Sequence, residues 1–222
     1  MTVYTHFQDI PYLTYDVLEA DPAWPWKTYS DKGLDRSPER HYSTMTVADI
    51  EALPVADIAK PDSVLFLWIT APVLAGGRHK QVIGAPMSIR PLSNRESVHL
   101  SVMEAWGFEC KALAFVWVKT RQAFMGDAIT DRDWHRGMGK YTAQNAELCF
   151  VGTRGRPPAP IEKLLPQIIT DPAREHSRKP ETAHDRIRRM YGGKRIELFS
   201  RQERPGFDAW GNQVDHFERM EG

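Results

Sequence analysis

The apolar positions of this chain fall into short runs rather than long helical stripes. "DVLEA" (16–20), "SVLFLWIT" (63–70), "LAFVWVK" (113–119), "AELCFVGT" (146–153) and "RIELF" (195–199) are rich in β-branched and aromatic residues. They predict five buried strands, with "QIITD" (167–171) a weaker sixth. Helical spacing lies between them. In "MTVADIEALPVADIA" Thr46 is placed to cap a helix carrying Ile50 and Leu53, and Pro54 forces a break before a second short turn. "SNRESVHLSVMEAWGF" puts Val98, Val102, Ala105 and Trp106 on one face, with Gly107 positioned to end it. "RKPETAHDRIRRMYGG" starts a helix around Pro180, carries Ile187, Met190 and Tyr191 as its apolar stripe, and stops at Gly192–Gly193. Strands alternating with helices predict an α/β layered fold around a largely parallel sheet.

Three polar stretches interrupt this pattern, at 25–44, 76–95 and 120–145, and read as loop insertions in a single domain spanning 1–222. Long connections of this kind are either solvated insertions or lids and binding loops. The stretch 76–95 is basic, with Arg78, Lys80, Arg90 and Arg95.

Composition narrows the function classes. With 222 residues, 41% of them hydrophobic, the chain can bury one sizeable core. Lys+Arg and Asp+Glu both total 29, so bulk charge does not advertise a polyanion partner. Cys110 and Cys149 form no CxxC pair and the eight histidines are dispersed, which speaks against a metal site or a disulfide framework and suits a reducing cytoplasm. Neither a signal core nor a membrane-length apolar run is present, so no membrane partner is expected. No GxGxxG follows a strand and no GxxxxGK[ST] occurs, which disfavours dinucleotide and P-loop enzymes.

The candidate chemistry lies in "LEADPAWPW" (18–26), where a strand ends in Asp21–Pro22 with two tryptophans close behind. In open α/β sheets ligands collect at the carboxyl ends of strands. There Asp21 and the Pro22 carbonyl can accept both hydrogens of an exocyclic amine. Trp24 can cover a flat base, a contact worth roughly 1–3 kcal/mol. As pure spacing D-P-x-W is a weak signal, and on the residues alone the other reading stays open: Asp21–Pro22 opens a loop and Trp24 and Trp26 fold back on the core.

An ordered set of segments goes further: "DPAW" (21–24), "HYSTM" (41–45), "VLFLWIT" (64–70), "WGFECKALAFVWVK" (106–119), "NAELCFVGTRGRP" (145–157), "REHSRKPE" (174–181) and "IELFSRQERPGFDAWGNQV" (196–214). Together they resemble the MT-A family of S-adenosylmethionine-dependent adenine methyltransferases, the messenger-RNA adenosine methylase with its phage and bacterial DNA-modifying relatives. The resemblance runs over roughly residues 16–214, and the chain's shortness looks like the phage and prophage branch.

The resemblance implies a Rossmann-like class I methyltransferase sheet of permuted order, with the catalytic motif first and the cofactor strand last. It implies a catalytic Asp21-Pro22-Ala23-Trp24, with Ala23 standing where the family has a second proline. S-adenosyl-L-methionine is the implied cofactor, held by Asp21, Arg154, Glu197, Phe199, Arg201, Asn212 and Gln213. No role carries over to Glu203 or Arg204. Nucleic acid is the implied partner, DNA first, with Tyr141 as a stacking residue and Lys119, Arg174, Arg178 and Lys179 as phosphate contacts. No metal is expected, and a homodimer stays open. The location implied is the cytoplasm of a bacterial or phage-infected cell. The implied reaction is methyl transfer to the 6-amino group of adenine. An RNA substrate, a cytosine amino group and a catalytically silent nucleic-acid-binding subunit are the alternatives.

Overall fold

The structure, a computed structural model, describes residues 1–25, 44–74, 97–122, 129–137, 141–174, 178–211 and 214. Most of the three predicted insertions, together with Trp26, Asn212 and Gln213, lies outside the described residues. Among those residues eight strands form one sheet: β1 (Val3–Tyr4), β2 (Tyr15–Ala20), β3 (Ala59–Thr70), β4 (Glu109–Val118), β5 (Ala146–Arg154), β6 (Ile168–Ile169), β7 (Arg195–Leu198) and β8 (Asp208–Trp210). They lie in the order β1-β8-β7-β2-β3-β5-β4-β6.

The sheet is parallel from β1 through β3, and β4 with β6 is parallel too. β5 alone runs against both its neighbours. This reversal has a direct consequence for function. The carboxyl ends of β2, β3, β4, β6 and β7 open on one edge, and the amino end of β5 opens there with them. The five strands read from apolar runs are β2, β3, β4, β5 and β7, and the weaker sixth is β6. The edge strands β1 and β8 were missed, because two or three residues are too few to display a periodicity.

Both faces of the sheet are covered, which is why β2 and β3 are apolar almost without alternation. On one face lie α1 (Val47–Glu51), α2 (Val55–Ile58), α3 (Ala71–Leu74) and α4 (Val98–Ala105), over a core that includes Leu18, Leu65, Leu67, Val102 and Trp106. Thr46 caps α1 through a reciprocal pair with Asp49, as its position predicts. Gly107 ends α4 with φ +80°, a conformation costly for any residue with a Cβ, and Phe108 N–H returns to the Met103 carbonyl. The Trp106 indole donates to the Ile50 carbonyl at 2.9 Å and ties α4 to α1. The opposite face is covered by α5 (Glu181–Met190), whose Ala183 and Ile187 pack on Val17, Phe66, Trp68 and Phe115.

Candidate active site

Asp21 is the residue at which β2 leaves the sheet, and three further elements bring charge to it. Lys179 precedes α5, Glu147 is the second residue of β5, and Lys119 follows β4. Lys179 Nζ donates to Asp21 Oδ2 at 2.5 Å and to Glu147 Oε2 at 3.0 Å. Glu147 Oε1 accepts a second bond from Lys119, whose ammonium lies 4.6 Å from the centre of the Trp117 ring. The result is an alternating chain, Asp21–Lys179–Glu147–Lys119, drawn from four elements of the fold.

Lys179 is placed by the start of α5. There Thr182 donates to Asp171 at 2.7 Å, and Glu181 accepts from Gln202 at 3.1 Å and from Arg204. It is only 5% exposed, so its charge must be matched locally. Burial opposes that charge, but the two carboxylates hold the ammonium above the ordinary lysine range. Burial likewise pushes Glu147 up, yet the two lysines outweigh it and hold the acid at about 2. Asp21 has one lysine and faces like charge. Burial pushes it up, Lys179 pulls it down, and Glu147 pushes it up again, leaving it at about 6. Glu147 is thus the fixed anion of the group, and Asp21 the carboxyl that can change its protonation near neutral pH.

The D-P-x-W turn is held on every side. Pro22 O accepts the Trp24 N–H at 2.7 Å, Ala23 O accepts the Met45 N–H at 2.9 Å, and the Trp24 indole donates to the Trp68 carbonyl at 2.9 Å. Trp24 is the residue expected to cover a flat base. Its side chain is 6% exposed and packed among Ile69, Val73 and their neighbours, so it locks the turn from the core side.

Other expected residues divide. Phe199, with φ +63°, follows β7 at the same edge and meets Trp210 edge-on at 5.2 Å. Arg201 lies half-buried two residues on. Glu197, expected to touch the cofactor, is buried in β7, and Arg204 Nε donates to its Oε2 at 2.9 Å. Burial leaves its carboxyl raised despite Arg204. Arg154 stands apart from Asp21. It pairs in register with Ser63, at the far end of β3 from Asp21, and donates to the carbonyls of Ala56 and Ala59. Reversal of β5 carries its carboxyl end, and Arg154 with it, to the wrong edge.

Among the expected phosphate contacts, Lys119 and Lys179 are taken by the carboxylates. Arg174 is exposed just after β6, Arg178 is half-buried, and Tyr141 is 87% exposed ahead of β5. The residue that sequence reasoning missed is Glu147, although an acid inside the apolar run "AELCFVGT" was the available signal.

A family model described as MT-A70 matches residues 15–83 and 92–213. The type II methyltransferase M.MunI of Mycoplasma sp is 27% identical over 225 residues, covering 94% of this chain and 81% of that protein. The mouse N(6)-adenine-specific methyltransferase METTL4 is 27% identical over 216 residues, and the human N(6)-adenosine-methyltransferase catalytic subunit METTL3 is 28% identical over 216. The chain spans 39% of the former and 30% of the latter. The matched residues take in β2 through β8 with Asp21, Glu147 and Lys179, and the chain belongs to the MT-A70 family.

Proposed function

We propose that this protein transfers a methyl group from S-adenosylmethionine to the exocyclic 6-amino group of adenine in DNA. The observation that carries the reading is the half-buried Asp21 carboxyl at the end of β2, held at Oδ2 by Lys179 and poised near neutrality. The amino nitrogen of adenine is a poor nucleophile, because its lone pair is delocalised into the ring. Asp21 Oδ1 and the second lone pair of the Pro22 carbonyl accept its two hydrogens and favour a more tetrahedral nitrogen. Once the methyl group had been taken from the cofactor, the surplus proton on nitrogen would leave along the hydrogen bond to Asp21.

S-adenosylmethionine, when bound, supplies the sulfonium-activated methyl. The donor set at this edge suits its amino-acid end. Lys179 uses two of its three donors on carboxylates, which leaves one for an incoming carboxylate. The Thr70 hydroxyl, at the end of β3 in register with Glu147, is buried without a hydrogen-bond partner among the described residues. Phe199 and Arg201, with Asn212 and Gln213, are assigned to the nucleoside end. Arg174 and Tyr141 are assigned to the nucleic acid, which must present its adenine unstacked. DNA is favoured over RNA by the relatives named for the base adenine or as type II methyltransferases, M.MunI being matched over 81% of its length.

The test is transfer of label from isotopic S-adenosylmethionine to unmethylated genomic DNA and, in parallel, to total RNA, with nucleoside analysis of the product. Label in 6-methyladenine of DNA is expected. Label confined to RNA would replace the substrate, and label in neither would remove the reaction. Asp21→Asn is expected to lower kcat by at least about 100-fold, the scale seen when one preorganised electrostatic partner is lost. A variant of near-normal kcat would remove Asp21 from the chemistry.

A further inference from the structure

Two residues before Asp21, the same strand carries a second acid. Glu19 is 1% exposed, while Asp16, the strand's other acid, lies toward its opposite end bonded to Lys60. Both its oxygens are used: Oε1 accepts the Trp68 indole N–H at 2.8 Å, and Oε2 meets Nδ1 of His184 at 2.7 Å. An indole N–H can only donate, and a carboxylate only accepts, so Glu19 fixes the plane of the Trp68 ring. The same logic makes Nδ1 of His184 the protonated nitrogen, while Nε2 is buried with no partner among the described residues. Burial opposes the charge on Glu19, but His184, the Trp68 N–H and Arg204 hold it below the usual carboxylate range.

Trp68 reaches the catalytic motif in two ways. Its carbonyl receives the Trp24 indole N–H, and its ring lies beneath Lys179, with Nζ 5.6 Å from the centroid. An apolar side chain at position 19 over a phenylalanine at 68 would fill the same space without burying a charge. The polar arrangement therefore calls for a role beyond filling the core.

We propose that Glu19 and His184 are positioning residues for the reaction: they lock the Trp68 indole, and that ring supports the lysine that grips Asp21. The proposal rests on the reading of Asp21 as the catalytic carboxylate. Neither residue touches a reacting group, and both act through one indole.

The test follows the Asp21 carboxyl by NMR titration and, separately, the kinetics of methyl transfer. In the wild type the Asp21 midpoint is expected near 6, set by burial first and then by Lys179, Glu147 and Glu197. Glu19→Met and His184→Leu free Trp68 and let Lys179 drift. The midpoint then rises by about one pH unit, the scale on which a neighbouring charge acts. With it kcat falls about 100-fold, as for a displacement near 1 Å at a reacting group. His184→Asn, which keeps a donor toward Glu19, restores both readouts. Glu19→Met combined with Trp68→Phe costs much less than the product of the single losses, because the two act in series. A folded Glu19→Met protein with an unmoved midpoint and unchanged kcat, lowered only in melting temperature, would overturn the proposal. So would multiplicative losses in the double variant. If Glu19→Met does not fold, His184→Leu against His184→Asn decides by the same two readouts. The titration needs no turnover, so a wild type that labels neither nucleic acid refutes the reaction while the midpoints still decide the positioning.

Discussion

Glu147→Gln is the sharpest perturbation of the site, because it removes one charge and keeps the shape. Glu147 and Asp21 are bound to the same lysine nitrogen at 3.0 and 2.5 Å, which places their oxygens roughly 5 Å apart if the bonds diverge at an ordinary angle. Two unit charges at that distance repel by about 3 kcal/mol at an effective dielectric constant near 20, equivalent to about 2 pH units in the midpoint of the carboxyl that yields. Both side chains keep some contact with water, 13% and 19% exposed, so a shift of 1–2 units is the realistic expectation by the same arithmetic. Freed of its neighbour, Asp21 should titrate at about 4–5 rather than about 6. The assay is the pH dependence of kcat/KM for methyl transfer, which reports the free enzyme. The wild type should lose activity as pH falls through 6, since a protonated Asp21 cannot accept the amine hydrogen. The variant should hold its activity further into acid. An acid limb that stays in place, or moves upward, would refute both the like-charge coupling and the assignment of that limb to Asp21.

Other expectations follow from the same geometry. Lys179→Met strands Asp21, while Glu147 keeps Lys119, and should cost about 3–5 kcal/mol in urea unfolding at alkaline pH, with much of the loss recovered as pH falls and Asp21, no longer pulled down by the lysine, takes a proton above pH 6; a variant as stable as the wild type would show that the pairing is not needed. Glu147, whose folded value lies below its ordinary one, contributes stability that is complete above pH 4.5 and lost as pH falls toward 2. Wild type minus Glu147→Gln should therefore shrink by about 3 kcal/mol over that window in unfolding measurements. Gly193→Ala should destabilise by more than about 1 kcal/mol, because φ there is +83° and the new Cβ would run into the Asp16 carboxylate. An unchanged urea midpoint would contradict that. Arg174→Ala should weaken binding to all DNA sequences alike and lower the slope of log K against log salt by about 1; an unaltered slope would remove it from the phosphate contacts.

How far the sequence reaches can be judged strand by strand. β3 and β5 were legible because both faces are covered, so the chemistry of burial writes an uninterrupted apolar run. β1 and β8 were not, since two or three residues carry no period. The reversal of β5 was invisible for a different reason. An apolar run looks alike in either direction, and only the connections on each side decide which way it points. That single ambiguity explains the opposite fates of its two ends: Arg154, expected at the site, is tied to carbonyls at the far edge, and Glu147, unremarked, stands beside Asp21. The lysines illustrate a second limit. A basic residue ahead of a helix reads as a phosphate contact until the carboxylates that neutralise it, from strands more than thirty positions away, are seen to surround it.

A second proline in place of Ala23 would stiffen the turn that aims the Pro22 carbonyl. Here the turn is restrained by other means. The Pro22 carbonyl receives the Trp24 N–H, the Ala23 carbonyl receives the Met45 N–H, and the Trp24 indole is pinned to Trp68, so three hydrogen bonds restrain what one ring would have. The two readings of "DPAWPW" that stood as alternatives are therefore parts of one arrangement. Asp21 faces the open edge with its charge tuned by Lys179 and Glu147. Trp24 folds back on the core, and by doing so it holds the aspartate and the carbonyl in place. Its burial is a condition of the chemistry, and the core beneath it, down to Glu19 and His184, belongs to the same device.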